Sequence, residues 1–278
     1  MERRTQLGNG LPDVTRLGLA TRGNNRLSPD DVAWAVGRGV NYLNWCGRED
    51  GLSRYVRASG EARKSLVVAA QFKARTADEA DRELNRMRES LGAEPDILTF
   101  YYVESQQEWD EIIAPGGAWD FLAELRRTHE SPRIGLTTHQ RRFGARWVQE
   151  MTEDGERKLD YLMIRYNAAH RGAEQDVFPV TDRLGTPTVC FTGLRWGALL
   201  QQAPDDGRQD DVPPSPADCY RFCLTNPSAS VVLTAPKVRA ELEESLTLLD
   251  DWRPMTEEGM RRIQEHGDRV RATAGEFW

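Results

Sequence analysis

Cysteine and histidine are scarce in this chain, four of each among 278 residues, and that scarcity closes off several classes of protein. Cys46, Cys190, Cys219 and Cys223 are too scattered to frame a disulfide scaffold. Cys219 and Cys223 stand one helical turn apart, but no second Cys or His pair lies near them to complete a zinc site, so they read as core thiols. No other metal-ligand set can be assembled from the sequence. Positive charge is also short: 37 Lys and Arg stand against 44 Asp and Glu, a formal charge of −7. Nucleic-acid grooves and polybasic membrane surfaces need the opposite balance. No apolar run approaches a membrane span, and "MERRTQLGNG" has no apolar signal core behind its basic residues. These absences predict a soluble, cytoplasmic protein that meets a small molecule rather than nucleic acid or membrane, with its oligomeric state left open. Apolar residues make up only 39% of the chain, so the outer faces of its helices must be heavily charged.

What is present is an alternation. Short β-branched or aromatic runs fall at 16–21, 40–44, 65–71, 96–102, 132–138, 160–167, 186–192 and 229–235, separated by amphipathic stretches. Ser28-Pro29, Thr76 with Glu79 three residues on, and Ser215-Pro216 supply helix-start chemistry between them. In the stretch after Thr76, Ala80, Leu84, Met87 and Leu91 share one face, as a helix lying on a sheet requires. Eight strand-helix units in one chain of this length predict a (β/α)8 TIM barrel, an α/β fold occupying residues 1–278 as a single domain. No G-x-G-x-x-G follows the first strand, which removes the best support for a dinucleotide-binding doubly wound sheet. Gly8-Asn9-Gly10 reads as the turn of an N-terminal β-hairpin placed to plug the barrel's base. Residues 255–271 read as an extra C-terminal helix packed outside. The acidic, Pro-rich segment 201–216 is either a lid or a flexible insertion.

The segments "RRTQLGNGLPDVTRLGLAT", "IGLTTH", "IRYNAAHRGAEQDVFP" and "NPSASVVLTAPKVRAELEESL" resemble, in order, the signature stretches of the aldo-keto reductases. That resemblance implies an NADP- or NAD-dependent oxidoreductase acting on a carbonyl or alcohol. It also implies an Asp, Tyr, Lys and His set at the ends of the second, third and fourth barrel strands, with the Tyr as general acid and the Lys lowering its pKa. Those four positions fall here on Asn44, Glu49, Gln71 and Tyr101, so the whole set is substituted. Asn44 keeps hydrogen-bonding capacity but not charge, and Gln71 is neutral. Lys73 points to the same side of its strand as Gln71, and with Tyr101 it offers a replacement cation–phenol pair. A solvated lysine and a packed aromatic would look the same in sequence.

For the cofactor, the resemblance places Thr137 and Thr138 at the nicotinamide-amide contacts and Met163 where a Gln is usual. Phe191 takes the place of the stacking Tyr, and Arg195 lies on the pyrophosphate-side loop as an anion partner. Glu244 is kept, Ser245 replaces an Asn, and Glu241 stands where an Arg often meets the 2′-phosphate, with Lys237 and Arg239 as the offsetting cations. His139, His170 and Arg171 also project from strand ends. Three readings stay open: a reductase with a rearranged acid, a non-redox barrel enzyme using Glu49, Lys73 and Tyr101, and a non-catalytic dinucleotide sensor.

Overall fold

The computed structural model describes residues 1–8, 10–22, 24–128, 132–154, 159–202 and 212–273. A two-stranded antiparallel hairpin, β1 (Arg4–Thr5) and β2 (Val14–Thr15), leads into eight parallel strands. These are β3 (Leu17–Ala20), β4 (Tyr42–Trp45), β5 (Val67–Phe72), β6 (Ile97–Phe100), β7 (Arg133–Thr138), β8 (Tyr161–Arg165), β9 (Thr188–Phe191) and β10 (Val231–Thr234). Each pairs with the next, and β10 returns to β3, closing the barrel. All eight expected strands are therefore present, with helices between them, and the fold is the predicted TIM barrel.

Period-two alternation sorts the strand residues into two cores. Ala20, Tyr42, Val67, Ala69, Ile97, Tyr161, Met163, Phe191 and Leu233 fill the barrel interior, while their neighbours face the helical ring. Inside the barrel, bulk on one strand is matched by its absence on the next. Gly135 is the register partner of Tyr161, and a Cβ on Gly135 would stand 2.2 Å from the Tyr161 ring. Tyr161 is held across the interior by a hydrogen bond with Thr99. At the base, Leu7 is fully buried among Val14, Tyr42 and their neighbours, so the hairpin does plug the barrel. Asn41 fixes it there, accepting from the Thr15 N–H at 2.8 Å and donating to the Asp13 and Ser65 carbonyls.

The helices begin at the opposite end, the mouth. The boxes at Ser28 with Asp31, Thr76 with Glu79 and Ser215 with Asp218 form as expected. Two further boxes start the helices Gly51–Ala58, from Asp50 and Ser53, and Gln106–Ile113, from Ser105 and Glu108. In the helix Ala77–Leu91 the buried residues are Ala80, Leu84, Met87 and Leu91, the face read from their spacing. The last helix, Glu257–Thr273, packs outside the barrel, where Gly267 lets it approach the Ala168 backbone; a Cβ there would come within 2.4 Å of Ala168. Of the segment 201–216, residues 203–211 lie outside the described residues, as do Asn9 of the hairpin turn and the chain beyond Thr273. No described helix is long and apolar enough to cross a membrane.

Candidate active site

A groove of about 550 Å³ opens at the C-terminal ends of the strands. It runs from Asn44, Gln71 and Lys73 on one side, past Tyr101, Tyr102 and Phe191, to Lys237, Glu244 and Ser245 on the other. This is the end of a TIM barrel where strand-end side chains converge on a ligand. The backbone there is also the least relaxed in the fold. Among the described residues, the four non-glycine residues with left-handed backbone, Tyr102 (φ 46°), Thr192 (φ 60°), Arg195 (φ 48°) and Trp196 (φ 55°), all follow strand ends at the mouth.

Parity explains who enters the groove. Asn44 follows Tyr42 on the inward face of β4 and is 1% exposed. Neither its amide nitrogen nor its amide oxygen has a hydrogen-bond partner. Leaving such a group unsatisfied costs about 1–3 kcal/mol, so the position is built for a ligand or solvent that supplies both an acceptor and a donor. Gln71 sits one layer further out on β5, and Lys73 follows it on the rim. The Lys73 ammonium lies 5.5 Å from the centroid of the Tyr101 ring. Tyr101 stacks on Tyr102 with ring centroids 4.0 Å apart. The cation and the phenol expected to pair are thus brought together, but the ammonium faces the ring rather than the hydroxyl. Burial pushes the Tyr101 phenol above its ordinary value of 10.0, the reverse of the lowering that a lysine at the oxygen would produce.

Other expected site residues lie elsewhere. Glu49 is outside the groove: Gly47, at φ 80°, turns the chain, and the Glu49 carboxylate faces Arg54 at 3.8 Å and Arg57 at 3.9 Å on an exposed surface. Thr138 faces the helical ring, where its hydroxyl accepts from the Gln140 N–H at 2.9 Å; only Thr137 points inward, below the groove, with its hydroxyl unpartnered. Arg195 does not reach into the groove, because its left-handed backbone turns the buried side chain under the last helix, donating to the Val270 carbonyl at 2.7 Å. Arg239 is held over the Trp34 ring at 4.0 Å between Asp31 and Glu243. Met163, Phe191, Lys237, Glu244 and Ser245 do line the groove.

Of the three strand-end cations and imidazoles, none lines the groove. Arg171 pairs with Asp268 at 2.9 Å. His139 is clamped by Glu104, which accepts from its backbone N–H at 3.0 Å and meets Nδ1 at 2.8 Å, and its ring stands edge-on to Phe191. His139 and Glu104 thus brace the aromatic wall from behind. His170 lies among arginines: burial, with Arg165, Arg195, Arg271 and Arg141 nearby, pushes its imidazole from 6.5 down to about 3. The unfolded chain takes up that proton near 6.5 and the folded chain only near 3, so stability is undiminished above pH 6.5 and falls as pH drops from there toward 3. His170→Gln is expected to remove this slope from a series of melting temperatures against pH. An unchanged slope would show that the effect belongs to another group.

The residues that escaped the sequence reading are Arg22 and Arg48, both lining the groove beside Asn44. Arg22 carried a signal, since it lies two residues beyond the inward-facing Ala20; Arg48 did not, because it sits in the loop after β4.

No protein-family model matches the chain, and no curated protein matches it. Among solved structures, the holo form of the aldo-keto reductase AKR11C1 from Bacillus halodurans superposes with a TM-score of 0.73 at 15% identity, covering 96% of each chain. The apo form of the same protein gives 0.70 at 14% identity with the same coverage. The chain therefore shares the overall barrel fold of that protein across nearly its whole length.

Proposed function

We propose that this barrel is a nicotinamide-dinucleotide-dependent oxidoreductase of carbonyl and alcohol substrates in which Tyr101 is the proton donor. The observation that carries the reading is the continuity of the groove, which joins a buried, unpartnered amide and a pair of phenols to an aromatic floor and to Lys237 and Ser245 beyond β10. Such a cleft suits an elongated ligand with a flat ring at one end and phosphates along its length. Phe191 offers the ring a stacking face, the turn at Thr192–Leu194 offers the phosphates backbone N–H groups, and Lys237 and Ser245 meet the adenosine portion. Met163 and the outward turn of Thr138 leave Thr137 as the single polar side chain near the expected amide contact. At the far end Lys237 is accompanied by Glu241 and Glu244, a balance that disfavours an extra phosphate and so favours NADH over NADPH.

When bound, the reduced dinucleotide supplies hydride to a carbonyl carbon. The chain's own residues do the rest. The Tyr101 phenol, which burial raises above its ordinary value of 10.0, is protonated through the neutral range, where it donates to the carbonyl oxygen, and the Tyr102 ring stacks against it. Arg75 fixes the segment by donating to the Tyr101 carbonyl at 2.9 Å. With Glu49 turned away, the non-redox reading loses its carboxylate. A binding-only role draws on one observation, the upward rather than downward shift of Tyr101.

Trp196, 53% exposed on the groove wall, reports occupancy. Titration with NADH is expected to quench its fluorescence saturably, with NADPH binding no more tightly, and a carbonyl panel is expected to be turned over. Absence of quenching by either dinucleotide would sink the reading. Quenching without turnover would assign the protein to binding alone.

A further inference from the structure

We infer that the β3–β5 end of the groove is a carboxylate-recognition subsite formed by Arg22, Arg48 and Asn44, so that the substrate is an oxo acid with an apolar body. This rests on the oxidoreductase reading for the word substrate, but the subsite itself stands on its own geometry. Ala20 is the register partner of Asn44, and the Thr21 N–H donates to the Asn44 carbonyl at 2.9 Å, so the ends of β3 and β4 rise side by side. Arg22 leaves the first and Arg48 the second, and both line the groove on either side of the buried amide.

Three features of this corner point to a bound anion. Arg22 has a buried Nε without a partner, and among the described residues neither guanidinium makes an ion pair or side-chain hydrogen bond. Asn44 is 1% exposed with its amide nitrogen and oxygen both unpartnered. Finally, the carboxylates that line the groove, Glu241 and Glu244, both belong to the helix Arg239–Leu246 that follows β10, and none comes from the ends of β3, β4 or β5. The nearest acids in sequence are already committed, Glu49 to Arg54 and Arg57, and Asp50 to capping the Ser53 N–H. In a chain of net charge −7, a corner holding two uncompensated guanidinium groups is a local reversal of sign. Guanidinium forks match carboxylates in pairs of parallel hydrogen bonds. The Asn44 amide N–H then reaches an oxygen beside the carboxylate, and its oxygen accepts from the corresponding hydroxyl. Tyr101, Tyr102 and Phe191 provide the apolar wall on which the rest of the molecule lies.

The test is calorimetric titration of the full chain with benzoylformate, with its uncharged methyl ester and with inorganic phosphate, alone and with NAD present. Saturable binding of benzoylformate is expected, weakened about tenfold or more in the ester and in Arg22→Gln/Arg48→Gln. The variant's quenching by NADH should stay within about threefold of the parent, which separates this subsite from the dinucleotide reading. Equal affinity of acid and ester in the unaltered protein would overturn the proposal without recourse to any variant. So would wild-type affinity in the double variant, displacement by phosphate at lower concentration than benzoylformate, or no binding at all.

Discussion

Tyr101→Phe is expected to lower carbonyl turnover about 100- to 10,000-fold, the range general acids contribute, while leaving dinucleotide affinity within a few-fold. The expectation follows from what the substitution keeps. The ring still stacks on Tyr102 at 4.0 Å and still faces the Lys73 ammonium at 5.5 Å, so the wall of the groove is preserved and only the proton is lost. A group used solely in the transition state shows this split, whereas a packing residue would raise KM or lower the melting temperature instead. Tyr102→Phe keeps the stacked ring and leaves the donor in place, so its effect should be the smaller of the two. Lys73→Met tests the cation separately: because the ammonium lies against the ring face and not the hydroxyl, its loss should cost far less than loss of the phenol. Unchanged turnover in Tyr101→Phe would remove Tyr101 from the chemistry.

Gly135→Val should be strongly destabilising. A Cβ alone at this position would stand 2.2 Å from Tyr161 Cε1, 2.4 Å from Cζ and 2.8 Å from Cδ1. The Tyr161 ring is fully buried and tied to Thr99, so it has nowhere to swing. Overpacking of a close-packed core costs about 1–3 kcal/mol and occasionally more, and here both partners lie on strands that cannot separate without opening the barrel. A fall in melting temperature of about 10 °C, or failure to accumulate folded protein, is the expected result by thermal denaturation. Gly135→Ala combined with Tyr161→Ala should be milder than the sum of the two single changes, because the cavity and the intruding methyl offset one another. A Gly135→Val protein that melts like its parent would mean that the β7–β8 pairing is looser than described.

How much of this was legible in the sequence differs by level. The barrel was, because eight β-branched or aromatic runs alternate with amphipathic stretches, three of them opened by capping residues, and each of these signals answers to local physics. The direction of strand residues was legible in principle too: Thr137 and Thr138 cannot both face the groove, since neighbours on a strand point to opposite sides. What no local rule carries is the aim of loop side chains. Gly47 turns Glu49 outward, and the left-handed backbone at Arg195 sends its guanidinium under the last helix. Arg239 was out of reach for a different reason, since Trp34 and Asp31, which hold it, lie some two hundred positions earlier in the chain. Arg48, in the loop after β4, was hidden in the same way, whereas Arg22 follows the inward parity of Ala20 and becomes informative once β3 and β4 are known to stand together.

The left-handed residues at the mouth bear on how this protein would respond to improvement. Each of Tyr102, Thr192, Arg195 and Trp196 holds a conformation that costs about 1–3 kcal/mol relative to a relaxed one. A search for heat tolerance that rewards only folding would therefore drift toward glycine or asparagine at these four places, easing the chain and loosening the aromatic wall together. Robustness and aim are opposed at this rim, and a variant selected for one should be screened for the other.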